Sequence, residues 1–324
     1  MDNHEVTIDD VRRASERIAS TTRRTPLERS RWLSDELERD VFLKLESFQL
    51  TGSFKLRGAM SKLSSLTEDE CARGVLSVSA GNHGLAVAHC SDALKFAATI
   101  VVPRSASRAK VEAIRRYSVT LVERGEDYDG AERAAREMER ATGATFVSPY
   151  NDAEVIAGQG TIGLELLEDE PNLEAIIIPV GGGGLIAGVA IAAKSMNPRI
   201  KIYGVEPSTS PSMTAALEAG HIVEIEEQDT IADGCAGNIE VGSITFPIVQ
   251  SLVDDIFLVS EEWIRNAIAR IAHQEHLIVE GAAALSVAVL RDTRLREQRV
   301  AAIVSGRNIS LDLFAEVVSN RANG

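Results

Sequence analysis

Short runs rich in β-branched residues alternate with amphipathic stretches along almost the whole chain. VFLKL (41–45), VLSVS (75–79), AATIVV (97–102), VTLV (119–122), TFVS (145–148), AIIIPV (175–180), IKIYGV (200–205), DIFLVS (255–260) and VAAIVS (300–305) read as strands. Between them, 7–19, 84–93, 107–117, 127–142, 154–168 and 261–276 repeat apolar residues at a spacing of about 3.6, the period of a helix. Thr7, followed by Asp9 and Asp10, marks the start of the first helix, because capping oxygens and early acids suit its orphan amides. Such alternation predicts an α/β protein with mostly parallel sheets wrapped by helices. No repeat and no low-complexity linker interrupts it.

Glycine-bearing junctions fall just after three of the strands: SAGNHG (79–84), GGGGL (181–185) and SGRN (305–308). Ligands of open α/β sheets bind at the carboxyl ends of strands, so these loops predict one shared crevice. Four glycines between a strand and a helix let several amides converge beside the positive end of a helix dipole, which makes a phosphate cup. No lysine follows as in a nucleotide P-loop, and no acid stands where a ribose contact needs one, since Glu206 belongs to the next strand end. In SAGNHG, Asn82 can give or take a hydrogen bond, and a helix with Asn82 in its first turn explains the loop equally well. His83 and His89 have no partner that sequence identifies. In SGRN, Ser305 offers a neutral hydroxyl, and Asn308 is expected to cap the next helix. TGSFKLRGA (51–59) sets Lys55 between a flexible turn and the first turn of an amphipathic helix. Surface lysines need no such neighbours, whereas an amine that enters a pocket and reacts with a carbonyl does.

Composition narrows the function classes. With 324 residues and 44% hydrophobic content, the chain is large enough for two domains or one large α/β unit. Its net charge of -14, with no polybasic run, argues against nucleic-acid and anionic-membrane partners. At 4%, aromatics are too scarce for a base-stacking platform. The longest apolar stretch is broken by Pro179 and the four glycines, so no membrane span is expected. MDNHEVTIDD is too acidic and polar for a leader, and no further domain is expected beyond residue 324. Cys71, Cys90 and Cys235 share no metal-like spacing, and reduced thiols in a cytoplasmic protein are the simple reading.

A reactive lysine, a phosphate cup, an asparagine loop and a neutral serine together suit pyridoxal 5'-phosphate. Its aldehyde needs an amine, its phosphate a cradle of amides, its phenolic oxygen a donor and its ring nitrogen a partner. TGSFKLRGA, SAGNHG, GGGGL and SGRN, in this order, resemble the fold-type-II, tryptophan synthase β-like pyridoxal phosphate enzymes. Among these the chain is similar to the threonine/serine dehydratases (ammonia-lyases) and serine racemases. RTPLERS (24–30), KLSSLT (62–67), GVEPS (204–208), TIADG (230–234) and VEGAAA (279–284) extend the likeness over nearly the whole length. Some features also resemble an ectoine-utilisation dehydratase branch.

The resemblance implies that Lys55 is the Schiff-base lysine and the base at the substrate Cα. Phe54 packs by the ring, Asn82 bonds the phenolic oxygen, Gly181, Gly182, Gly183, Gly184 and Leu185 hold the phosphate, and Ser305 faces the ring nitrogen. Ser79, Ala80, Asn82 and His83 lie on the loop that grips the substrate carboxylate. An uncharged hydroxyl favours a protonated ring nitrogen less than a carboxylate does, so prompt loss of a β-hydroxyl is expected rather than a long-lived carbanion. The expected products are a 2-oxo acid and ammonia.

Several departures from the family pattern stand out. Racemases place a serine where this chain has Ala80, so dehydration is expected over racemisation. A cation site of some relatives uses a glutamate and an aspartate six residues on; this chain keeps Glu206 but has Ser212 there, with Ser210 between, so Glu206 and Ser210 are weak metal candidates. Arg307 stands where most relatives have glycine, and either faces solvent or reaches an anionic or polar group of the substrate. With the stretch 233–246, it raises hydroxyaspartate, phenylserine or a hydroxyectoine-derived compound as alternatives to threonine and serine. A large domain from 1–76 and 151–324, a small mobile domain from 77–150, and a homodimer complete the expectation. A dinucleotide oxidoreductase and a non-catalytic cofactor-holding protein are the competing classes.

Overall fold

The computed structural model describes residues 5–320; the first four residues of the opening acidic stretch lie outside them. The strands are β1 Leu27–Arg29, β2 Asp40–Lys44, β3 Val75–Val78, β4 Ala98–Val102, β5 Thr120–Glu123, β6 Thr145–Phe146, β7 Ala175–Pro179, β8 Lys201–Pro207, β9 Asp255–Val259 and β10 Arg299–Ile303. Each expected run forms one of them. β1 was not expected: three residues at a sheet edge carry too short a pattern to read. One sheet has six strands in the order β1-β2-β10-β7-β8-β9, and the other four in the order β5-β4-β3-β6. Among the described residues, only β1 runs antiparallel to its neighbour within the sheets. β3 and β7 are buried at every position, as expected of parallel strands covered on both faces.

All six expected helices form, among them Ile8–Ile18, Asn82–Leu94 and Ala153–Asp169. Thr7 caps the first in a reciprocal box with Asp10, worth about 1 kcal/mol. Ala153–Asp169 lies against Gly184–Met196 so closely that a methyl group on Gly188 would run into the backbone at Ile156 and Gly160. At the last helix the expectation fails. Leu311–Asn320 is capped by Ser310, whose hydroxyl accepts the Leu313 amide at 3.3 Å, and not by Asn308.

Helix Lys55–Ser64 joins the two sheets' cores. Leu56, Ala59, Met60 and Leu63 enter the apolar cluster beneath the four-stranded sheet, together with Val75, Val87 and Ile100. Its other side touches Ala153–Asp169, where Gly58 lies against Gln159 and Gly158 against the Arg57 carbonyl. Arg57, buried, forks onto Glu46 at 2.8 and 2.9 Å and onto Glu165 at 2.7 and 2.9 Å. Lys44 Nζ donates to Glu165 at 2.6 Å and to the Thr25 carbonyl at 2.8 Å. Two cations thus face two anions, so the helix that begins at Lys55 is anchored by balanced charges as well as by apolar area.

Candidate active site

The carboxyl ends of β2, β3, β7 and β10 deliver the singled-out loops to one crevice. Residues 52–54 run antiparallel to 305–307: the Phe54 amide donates to the Ser305 carbonyl at 3.0 Å, and the Arg307 amide to the Gly52 carbonyl at 2.9 Å. Gly52, at φ 77°, makes the turn that a side-chain residue would resist. Lys55 and the buried Ser305 are therefore held side by side through the backbone. Nζ of Lys55 donates to the Pro149 carbonyl at 2.9 Å and stands 5.1 Å from the centre of the Phe54 ring. The residue is only half-buried, but surrounding protein is dense enough that burial lowers its pKa to about 8, against the pull of Cys235 and Glu280.

The glycine loop is shaped from two sides. Gly183, at φ 87°, precedes helix Gly184–Met196, whose first amides have no acceptor within the helix. A methyl on Gly182 would overlap the Tyr150 ring, and Thr245 Oγ1 donates to the Gly182 carbonyl at 2.8 Å. A loop so shaped can offer its backbone amides to an anion.

Asn82 is the first residue of helix Asn82–Leu94. Its Nδ2 donates to Glu280 at 2.7 Å, and its Oδ1 accepts from Asn308 Nδ2 at 2.6 Å, leaving one amide hydrogen for a further acceptor. Ser79 Oγ accepts the Gly81 amide at 3.0 Å, which shapes the loop around Ala80. His83 is buried and points inward. Its Nε2 donates to the Val147 carbonyl at 2.9 Å, and its Nδ1 has no partner. Burial, and then the charge of Lys55, lower its pKa to about 3, so the ring is neutral at working pH.

One expectation changes, at Asn308, and Glu206, Ser210 and Arg307 take defined surroundings. Glu206 is buried at the end of β8. It accepts the Met213 and Thr214 amides, each at 2.8 Å, and the Thr214 hydroxyl at 2.6 Å, completing the start of helix Ser212–Ala219. Ser210 Oγ accepts the Gly237 amide at 3.2 Å. Among the described residues, no group of three or more His, Cys, Asp or Glu side chains could hold a metal. Arg307 is exposed, with its guanidinium 6.0 Å from the Phe48 ring centre and its stem against Gly52. Asn308, expected as a cap, donates instead to Asn82 and to the Thr51 carbonyl at 3.0 Å.

Sequence reasoning missed Glu280, Pro149, Tyr150 and Thr245. Only Glu280 carried a signal, as part of VEGAAA, and nothing local showed which residues it meets. An amine with a lowered pKa, a cradle of amides, an amide hydrogen to spare and a buried hydroxyl supply each group that pyridoxal phosphate requires, so the residues fit that cofactor.

The family described as pyridoxal-phosphate dependent enzyme matches residues 18–306. The chain is 41% identical to an L-threonine ammonia-lyase of Thermotoga maritima over 315 residues, covering 97% of this chain and 78% of that protein. It is 40% identical to the catabolic L-threonine dehydratase TdcB of Escherichia coli K12 over 316 residues, covering 96% of both. Among solved structures, maize serine racemase superposes with a TM-score of 0.92 at 33% identity and covers 98% of each chain. Fold, site chemistry and these likenesses agree: the chain belongs to the pyridoxal-phosphate-dependent enzymes, as a lyase of that family.

Proposed function

We propose that this enzyme removes the β-hydroxyl of threonine or serine and yields a 2-oxo acid and ammonia. The observation that carries the reading is Lys55: an amine of lowered pKa at a helix start, joined through the backbone to an uncharged Ser305. Bound pyridoxal phosphate supplies an electron sink for the pair released at Cα. Lys55 Nζ takes the Cα proton, and a pKa of about 8 keeps part of it in the free-amine form near neutral pH. Amides of 181–185 hold the phosphate, and the spare Asn82 N–H meets the phenolic oxygen. Ser305 faces the ring nitrogen without a charge that would favour its protonation. Ser79, Asn82 and His83 bring the carboxylate-gripping loop, and Ala80 offers no acid for the opposite face of the substrate, which favours elimination over racemisation.

Arg307 is exposed and near the Phe48 ring, and reading it as a surface cation favours threonine and serine over hydroxyaspartate. Asn82–Leu94 and its sheet fit a smaller unit of 77–150 that closes on the larger one of 1–76 and 151–324. The reading includes a cytoplasmic homodimer; three free cysteines suit a reducing compartment, and among the described residues no helix is long and apolar enough to cross a membrane.

A panel of 3-hydroxy amino acids, assayed for ammonia and 2-oxo acid, tests the function. Threonine or serine should turn over fastest, and Lys55→Ala should abolish turnover together with the cofactor's visible absorption band. Turnover retained by that variant would overturn the reading.

A further inference from the structure

Glu280 precedes helix Gly281–Ala288, and its carboxylate is buried where three segments far apart in sequence converge. Oε1 accepts Asn82 Nδ2 at 2.7 Å, and Oε2 accepts the Asn308 amide at 3.1 Å. The Glu280 amide donates to the Gly306 carbonyl at 3.1 Å, which fixes the backbone as well. Gly306 has no side chain to intrude: a methyl group there would collide with the carboxylate. Four hydrogen-bonding groups of Glu280, Asn82 and Asn308 thus close into one arrangement, since Asn308 Nδ2 also bonds Asn82 Oδ1.

An ionised carboxylate only accepts, whereas an asparagine amide can present either end. Paired with an acceptor on one side and with the Asn308 donor on the other, Asn82 has only one satisfied orientation. We propose that Glu280 is a positioning residue that holds Asn82 with its N–H, and not its carbonyl, toward the cofactor's phenolic oxygen. The inference deepens the reading above and rests on the cofactor assigned there.

Protonation of Glu280 loosens the arrangement, because an added O–H is a donor set among the donors of Asn82 and Asn308. The groups facing it have opposed effects. Burial and then Asp233 raise its pKa to about 7, while the Asn82 and Asn308 bonds and the charge of Lys110 lower it; Lys55 and Cys235 lie close enough to couple to it. Orientation of Asn82 should accordingly change with pH near neutrality.

The test compares the loaded wild type with Glu280→Gln and Asn308→Ala from about pH 6 to about pH 8, a unit either side of that value. In the wild type, the ratio of the bound cofactor's absorption bands should shift with a midpoint near pH 7, apart from the rise in kcat that follows Lys55 at about 8. Glu280→Gln should lose that midpoint and lower kcat about ten- to a hundredfold with a smaller change in KM, the effect of one charged hydrogen bond. Asn308→Ala should keep the midpoint and lower kcat less, which leaves a test if the first variant does not fold. A wild-type band ratio and kcat in either folded variant would overturn the proposal. Absence of any cofactor band in the wild type would instead overturn the cofactor assignment, and is read separately.

Discussion

Lys55 meets opposing demands: it must be basic enough to take a proton from carbon, yet uncharged when it does so. A free lysine at its ordinary 10.5 is almost wholly protonated near neutrality, and the surroundings in the crevice lower that value to about 8. Attachment of an aldehyde cofactor needs the free amine, so its rate should follow the deprotonated fraction. Cofactor-free protein mixed with pyridoxal phosphate at stepped pH should gain its visible band faster as pH rises, levelling off above about 8. A rate that climbs without break toward 10.5 would show that the site does not depress the amine. His83 has no such part to play: with its pKa lowered to about 3, it stays neutral and serves by shape and by its bond to Val147.

At the scale of elements, helix Lys55–Ser64 is placed by what lies beneath it. Arg57, two positions after the reactive amine, is tied to Glu46 before the helix and Glu165 on Ala153–Asp169, and Lys44 on β2 shares Glu165. Removing one member leaves a buried charge without a partner, which costs far more than the intact set contributes. Arg57→Met should therefore destabilise the fold by about 3–5 kcal/mol, read as a lower urea midpoint with little change in slope. A loss below about 1 kcal/mol would mean that Glu46 and Glu165 find water. None of this network could be read from the pattern of apolar residues, which treats Arg57 as one more polar position on an amphipathic helix. Asn308 misled for a related reason. Its type suits a cap, but Ser310 stands in the capping position once the chain is folded.

Across the whole molecule, the two sheets are linked by contacts around the crevice. Asn82 reaches Glu280, Lys110 pairs with Asp233, and Arg136 lies 3.6 Å from Glu240. Both ion pairs are partly exposed, so each is worth at most about 1 kcal/mol and neither holds the fold together. If the four-stranded unit closes over substrate as proposed, their value lies in favouring the closed form. Lys110→Ala should leave the melting temperature nearly unchanged while kcat/KM drops a few-fold, roughly the same 1 kcal/mol seen at the transition state. Equal kcat/KM in wild type and variant would remove this pair from closure. By itself the sequence determined the alternation of strands and helices, the placing of glycine loops after strands, and the amine that they surround. Those features are local: a period of two or about 3.6, a run of glycines or a cap is complete within a few neighbouring residues. Tertiary structure alone decided that Glu280 meets Asn82 from 198 positions away, that Arg57 rests between two carboxylates, that Glu206 accepts helix amides and that Arg307 is exposed. Each of those outcomes depends on which distant polar group fills a buried site, and only the folded chain brings such groups within reach.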